Sequence, residues 1–334
     1  MNSQHPLVTV FMAAYNTEKY ISLAIQSILN QTYSNFELLI IDDCSTDNTL
    51  YEIKKFEDSR IRLLQNGCNQ GVVITRNRAL AEANGAFIAV MDSDDIAVPD
   101  RIESLLNEFK AHPEYALIGG HADVIDPYGI PTGQQFTVET EPSLLRYRLL
   151  LGNNFTHSSI MMRTEVFREF NGYRTPLAED YDLFLRISTK YPVGNLDKVL
   201  IFYRDHASGI SKKYAQDLYN QVLPIKENIL RSLRLPADIS YQKMITHPIN
   251  WDEINIAAYK KLHADLLDRI YAPPHSSSTH AKRFIFQRWY EVIMNNGGKM
   301  TIFYFFNRPF FGWRYFTAKQ FRRALKNSVK NLFK

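Results

Sequence analysis

The chain has 334 residues, 45% of them hydrophobic, a net charge of +4 and two cysteines, Cys44 and Cys68. So apolar a composition excludes a chain disordered throughout, and so few cysteines exclude a disulfide framework or a multi-cysteine zinc site. No basic segment with a long apolar run precedes Leu7, and no stretch reaches the roughly twenty uninterrupted apolar residues of a membrane span, so a reducing, cytoplasmic setting is expected.

Leu7 to Met12 is a short apolar run that gives way to Ala13-Ala14-Tyr15-Asn16, the pattern of a strand buried on both faces and followed by a turn. Asn16 is placed to cap the next helix, in which Ile21, Ala24, Ile25 and Ile28 share one face at helical spacing. A second apolar run, Phe36 to Ile41, stops at Asp42-Asp43, and Arg60 to Leu64 makes a third strand. A helix is predicted from Val72 to Ala83 with Gly85 as its stop, then a buried strand from Ala86 to Met91. That strand ends in Asp92-Ser93-Asp94-Asp95, and Pro99 stands where another helix begins. Strands alternating with helices imply a mainly parallel sheet, whose ligands bind beyond the carboxyl ends of the strands. Three polar clusters lie at such ends: Ala14 to Asn16, Asp42-Asp43, and Asp92 to Asp95.

Beyond about Asp123 the pattern is mixed, with Gly and Pro between Asp126 and Gly133. A polar helix-prone stretch follows, and then Asn153 to Arg163. Tyr214 to Tyr271 reads as largely helical, and Ala272 to Ser278, with two prolines and three serines, reads as a linker. From Ala281 onward there are twelve Lys or Arg and one acidic residue, Glu291, which leaves the preceding part net negative by seven. Aromatics alternate with these cations: Phe284, Phe286, Trp289, Tyr290, Phe303 to Phe306, Phe310, Phe311, Trp313, Tyr315 and Phe316. Asn307-Arg308-Pro309 breaks the most apolar part, which favours a foot lying in the lipid interface over a span. The same residues also suit a helical extension packed on the core, or a nucleic-acid surface.

Taken alone, Asp92 to Asp95 is also what a strand-end turn or helix cap requires, Asp43 what a turn requires, and Arg76 what a solvated helix face requires. Two carboxylates one residue apart nevertheless suit Mg²⁺ or Mn²⁺, which neutralises a departing diphosphate. Glu179-Asp180 precedes Tyr181, Leu183, Phe184 and Leu185, so the pair sits at the mouth of a helix, as capping also demands. His206 offers an imidazole in Tyr203-Arg204-Asp205-His206, with Ser208 and Ser211 following.

As an ordered set these motifs resemble the family 2 glycosyltransferases of the glycosyltransferase-A fold. The resemblance runs from about Val8 to Ser211, through Val8 to Asn16, Asn30-Gln31-Thr32-Tyr33, Phe36 to Thr49, Gly71, Arg76-Asn77, Gly85, Asp92 to Asp95, Pro99-Asp100, His157-Ser158, Gly172-Tyr173, Glu179 to Asp182 and Tyr203 to His206. Ala13-Ala14 stands where Pro-Thr is more usual, and Cys44 where Gly or Asn is common. The resemblance implies an α/β fold, a Rossmann-like sheet flanked by helices, with a helical C-terminal extension. The expected organisation is a catalytic domain over 1–212, with a nucleotide-sugar half (1–122) and an acceptor-side half (123–212). A helical extension (213–271) and a basic aromatic membrane-association region (281–334) would follow.

It also implies roles. Ala14, Tyr15 and Asp43 would meet a uracil base, Arg76 the base or phosphates, Asp92 and Ser93 the donor nucleotide. Asp94 and His206 would hold the metal and Asp180 would be the general base. Asp95, His157 and Glu179 would support the turn and the acceptor. The expected reaction is inverting transfer from a nucleotide sugar, UDP-linked, to a hydroxyl of a lipid-linked or growing surface glycan, at the cytoplasmic face of the membrane, without nucleic acid. A non-catalytic sugar-nucleotide-binding scaffold and a nucleotidyltransferase are the rivals; the second lacks a glycine-rich basic triphosphate loop after the first strand.

Overall fold

A computed structural model describes residues 5–207, 215–245, 254–271 and 278–332. Ser208, Ser211 and most of the Ala272 to Ser278 linker lie outside the described residues. The chain forms two compact units, one of Met1–Pro142 and Asn154–Gln221, the other of Ser143–Asn153 and Val222–Lys334.

The first unit is built on a nine-stranded mixed sheet, with β1 (Val8–Ala14), β2 (Phe36–Asp42), β3 (Ile61–Gln65), β4 (Phe87–Val90), β5 (Ile96–Ala97), β6 (Leu117–Ile125), β7 (Pro131–Phe136), β8 (Met161–Arg163) and β9 (Val193–Arg204). Their order is β3-β2-β1-β4-β8-β6-β9-β5, with β7 paired to β6. The first four are parallel to one another, and β1, β2 and β4 are the mainly apolar runs expected of strands buried on both faces. β8 is antiparallel to both β4 and β6, while β6 and β9 run parallel. Pro127 and Gly129 lie in the turn of the β6–β7 hairpin, and Pro131 opens its exposed strand β7.

Helix α1 (Ile21–Leu29) buries Ile21, Ala24, Ile25 and Ile28, the expected face, against β1 and β2. Each of the isoleucines contributes about 1.5–3 kcal/mol of burial. Asn16 does not cap this helix, which starts five residues later without a side-chain cap. With φ +53°, it turns its Oδ1 to the Thr46 amide at 2.8 Å and so ties the β1 loop to the β2 loop. α2 (Thr49–Lys54), α3 (Val72–Glu82) and α4 (Arg101–Ala111) follow, and later in the same unit α6 (Thr164–Glu169) and α7 (Glu179–Lys190).

Gly85 is not the stop of α3, which ends at Glu82. A Cβ there would lie 2.4 Å from the Thr9 amide nitrogen and 2.9 Å from the Leu7 carbonyl oxygen, so the residue is glycine because β1 passes against it. Gly85→Ala is expected to destabilise the unit by about 2–3 kcal/mol, since backbone rather than a flexible side chain would have to move. A lowered urea midpoint with unchanged slope checks this; an unchanged midpoint contradicts it.

In the second unit, α5 (Pro142–Leu151, all but its first residue) joins the helices Ala215–Ser232 (its part beyond Gln221), Ile239–Met244, Ile256–Ile270, Thr279–Asn296, Thr301–Phe305 and Ala318–Leu332. Trp289 is fully buried, stacks on Phe310 with ring centres 4.7 Å apart, and donates from Nε1 to the Tyr304 carbonyl. Phe286 and Phe305 are equally buried. Much of the aromatic content expected at a lipid surface is therefore core.

Candidate active site

Parallel register brings the polar strand ends together. Ala14 pairs with Asp42 and Phe11 with Val90, so Asp43 and the Asp92 to Asp95 turn leave the sheet on either side of Ala14 to Asn16, two strand spacings or about 10 Å apart. Tyr15 is 46% exposed at this edge, while the Ala14 carbonyl accepts the Asp43 amide at 2.8 Å. Cys44 has φ +61°, which explains why Gly or Asn, tolerant of the left-handed region, is common at its position.

The Asp43 carboxylate is already engaged. Oδ1 accepts from Asn66 Nδ2 (2.7 Å) and the Gln70 amide (2.9 Å), and Oδ2 from the Gly71 amide (2.9 Å). It thus fastens residues 66–71 beside the site, with one of about four lone-pair positions left over. The turn role is observed, and it leaves room for a single further donor.

Arg76 is no solvated helix residue. Only 9% exposed, it donates from Nη1 to Glu179 and from Nη2 to Asp92 Oδ1 at 2.9 Å, with its guanidinium over the Tyr173 ring. Asp92 Oδ2 meets His157 Nδ1 at 3.4 Å, and His157 Nε2 meets the Tyr173 hydroxyl at 3.0 Å. Burial pushes the Asp92 carboxyl up, but His157 and Arg76 together hold it well below the usual carboxylate range. At Glu179 burial wins over Arg76, and with the Asp180 charge it raises the carboxyl. Asp92, Arg76 and Glu179 therefore form one connected chain from the β4 turn to α7 (Glu179–Lys190).

Asp180 lies in the first turn of α7, where Oδ1 accepts the Tyr181 amide at 2.6 Å, and it is close enough to add to the field on Arg76 and Tyr173. Tyr181, Leu183, Phe184 and Leu185 are buried behind it, so the helix end is fixed.

On the other side of the turn, Asp94 Oδ2 and His206 Nε2 are 2.9 Å apart, and the imidazole sits against Tyr20. Asp95 is fully buried, accepting from Ser158 Oγ and from the Arg204 amide at 2.8 Å. Burial and then the charges of Asp94 and Asp92 push its carboxyl well up, against those two donors. Ser93 is buried between them. Arg204 bonds the Asp94 carbonyl from Nε at 2.7 Å and the Asp126 and Pro127 carbonyls from Nη1, and lies over Tyr20.

Among the described residues no group of three or more His, Cys, Asp or Glu is gathered as a complete metal site. Asp94 and His206 nevertheless suit one edge of one. The carboxylate oxygen would suit Mn²⁺ or Mg²⁺, and the imidazole nitrogen beside it would favour a transition ion such as Mn²⁺ over Mg²⁺.

Tyr173, Ser158 and Arg204 belong to the quoted motifs, yet sequence reasoning gave them no role. Ser158 reaches Asp95 across 63 positions, Arg204 reaches Asp94 across 110 and Tyr173 reaches Asn77 across 96, and such contacts leave no local pattern.

A model of Glycosyl transferase family 2 matches residues 9–170. The chain is 34% identical over 245 residues to the putative glycosyltransferase EpsE of Bacillus subtilis, covering 71% of this chain and 86% of that one. It belongs to glycosyltransferase family 2. Within the family it is also 32% identical to the Escherichia coli UDP-Glc:alpha-D-GlcNAc-diphosphoundecaprenol beta-1,3-glucosyltransferase WfaP, over 69% of this chain and 88% of the relative. Among solved structures, S. aureus TarS 1-349 in complex with UDP-GlcNAc superposes with TM-score 0.55 at 17% identity, covering 97% of this chain and 91% of that one. The family's glycosyltransferase-A type of fold is thereby the fold of this chain. As a family 2 member it is a glycosyltransferase.

Proposed function

We propose that this glycosyltransferase is an inverting enzyme that moves a sugar from a UDP donor to a hydroxyl of a lipid-linked or growing surface glycan. The observation that carries the reading is the Arg76 bridge. It ties Asp92 on the diphosphate side to Glu179 beside Asp180, so a donor-binding turn and a base share one rigid frame. The span of about 10 Å between Asp43 and the acidic turn matches a nucleoside diphosphate, with the base by Tyr15 and Asp43.

Asp94 and His206 would hold a divalent cation, which supplies charge neutralisation to the departing diphosphate. The Asp180 carboxylate takes the acceptor hydroxyl proton as the oxygen forms its bond to the anomeric carbon and the bond from that carbon to the diphosphate oxygen breaks. Glu179, His157 and Tyr173 line the approach to Asp180 and orient the acceptor. The printed activity of WfaP, a UDP-glucose donor with a diphosphoundecaprenol-linked acceptor, supports the donor and acceptor classes.

Product analysis tests the reading. Incubation with UDP sugars, Mn²⁺ and a polyprenyl-diphosphate sugar is expected to release UDP. In a parallel incubation with UTP and a sugar 1-phosphate, pyrophosphate release indicates a nucleotidyltransferase, and binding without either product a scaffold.

A lipid-linked acceptor calls for access to a membrane surface. No helix among the described residues is long and apolar enough to cross one. Phe303, Phe306 and Trp313 are exposed, at 64%, 42% and 78%, in a region whose helix Ala318–Leu332 carries Lys319, Arg322, Arg323, Lys326 and Lys330. Each cation near an anionic surface contributes about 1 kcal/mol. Removing everything from Ala281 would take Trp289 and Phe286 out of the core, so the triple serine variant of Phe303, Phe306 and Trp313 is the cleaner probe. It is expected to lose sedimentation with phosphatidylglycerol vesicles, which the parent shows at low salt and loses at high salt. Equal sedimentation of variant and parent contradicts the foot.

A further inference from the structure

Arg101, the first residue of α4, is fully buried, and among the described residues its guanidinium makes no ion pair with a carboxylate. Nη2 donates to the Val90 carbonyl at 2.5 Å and to the Ile160 carbonyl at 3.2 Å, Nη1 meets Met91 Sδ at 3.5 Å, and Nε has no partner. Burial pulls the group down to about 10, with Asp95 and Asp92 holding it up, so it is a cation at neutral pH. A buried charge without a contacting counterion costs several kcal/mol, and a methionine of similar reach would fill the same space without that cost.

Its place in the sheet shows what the charge does. β4 and β8 are paired as far as Ala89 with Met161, and the Val90 amide still reaches the Ile160 carbonyl at 3.1 Å. Beyond that pair the two strands part. From Val90 the chain enters the Asp92 to Asp95 turn, and into Ile160 it arrives from His157 and Ser158. Across the split, Asp92 meets His157 and Asp95 meets Ser158. Arg101 forks between the two carbonyls at the apex of this split, beneath two of the carboxylates.

We propose that Arg101 is a positioning residue for sugar transfer, fixing the opening between the Asp92 to Asp95 turn and the His157-Ser158 segment so that the donor-side carboxylates meet their partners. The role rests on the transferase reading given above. It also explains a buried cation in the core: the side chain is held where its field falls on the acidic turn.

The test compares Arg101→Met, Arg101→Lys and Arg163→Met with the parent chain. Arg163 also bonds carbonyls, those of Tyr115 and Pro113, but at the end of β8 away from the site, so it reports loss of an arginine anchor alone. Because an error of about 1 Å in a reacting frame costs on the order of 100-fold, Arg101→Met is expected to lower kcat about 100-fold at a temperature where its circular dichroism matches the parent. Arg101→Lys keeps the charge and a nitrogen able to donate to both carbonyls, but loses the Nη1 contact with Met91 and the planar group that fixes the direction of the two bonds, and is expected to restore kcat to within about 10-fold while remaining measurably below the parent. Arg163→Met should lower the melting temperature with kcat within about 2-fold of the parent.

A folded Arg101→Met with kcat within about 3-fold of the parent overturns the proposal. Should that variant not fold, Arg101→Lys decides: a kcat reduced at an unchanged acceptor KM supports positioning, and a parental kcat overturns it. The parent assayed alongside separates the two readings. No UDP release by the parent sinks the transferase reading, whereas release by parent and Arg101→Met alike sinks only the positioning role.

Discussion

Replacing Asp94 by alanine is expected to abolish Mn²⁺-dependent binding of the nucleotide donor and to lower kcat by about 10²–10⁴-fold, several kcal/mol of barrier. Asp94 Oδ2 is the oxygen of the two-donor edge it makes with His206, and its loss leaves the imidazole alone to face a cation. The fold should survive, because the turn is held through the Asp94 carbonyl by Arg204 and through the Asp95 carboxylate, neither of which the substitution removes. Titration of UDP with and without Mn²⁺ by calorimetry checks the first part, and UDP release the second. Metal-dependent binding that persists in the variant would remove Asp94 from the site. Asp94→Asn refines the result: it can still accept from His206, so a loss as deep as that of alanine assigns the effect to the carboxylate charge.

Replacing Asp180 by asparagine should separate binding from chemistry. The asparagine carbonyl can accept the Tyr181 amide that Asp180 Oδ1 now accepts, so α7 keeps its start. Donor affinity should remain within about 3-fold of the parent, because Arg76 continues to join Asp92 to Glu179. Transfer should fall by about 10²–10⁴-fold, the usual contribution of a general base. Unchanged transfer would move the base elsewhere, with Glu179 next in line; its raised carboxyl favours taking a proton, while its pairing with Arg76 engages it away from the substrate.

The sheet that carries these residues was legible in part. β1, β2 and β4 are buried on both faces, so each reads as an apolar run ended by a polar cluster, and parallel pairing brings those clusters to one edge. The later strands were hidden for a physical reason. β6 contains Gly119-Gly120-His121, residues that weaken a strand pattern, yet a Cβ at Gly120 would meet the Leu200 side chain at 2.7 Å and the Lys198 carbonyl at 2.8 Å. The glycines are there because β9 packs tightly against them. β8 is three residues long and has no periodicity to read.

At the site, the acidic turn and Glu179-Asp180 were visible as motifs, but their connection was not. An arginine on an amphipathic helix looks the same whether it meets water or carboxylates 16 and 103 residues away, and only folding shows that Arg76 meets both Asp92 and Glu179. The aromatic region had the same ambiguity. Trp289 and Phe305 pack inward while Trp313 and Phe303 face out, although all four stand among cations in the sequence.

The configuration of the product bears most directly on the account. An α-linked UDP sugar passed to a polyprenyl-diphosphate acceptor in a single displacement with Asp180 as base yields a β-linked product and UDP, visible in the anomeric proton coupling of the purified glycolipid. An α-linked product, or any nucleotide product other than UDP, would contradict it.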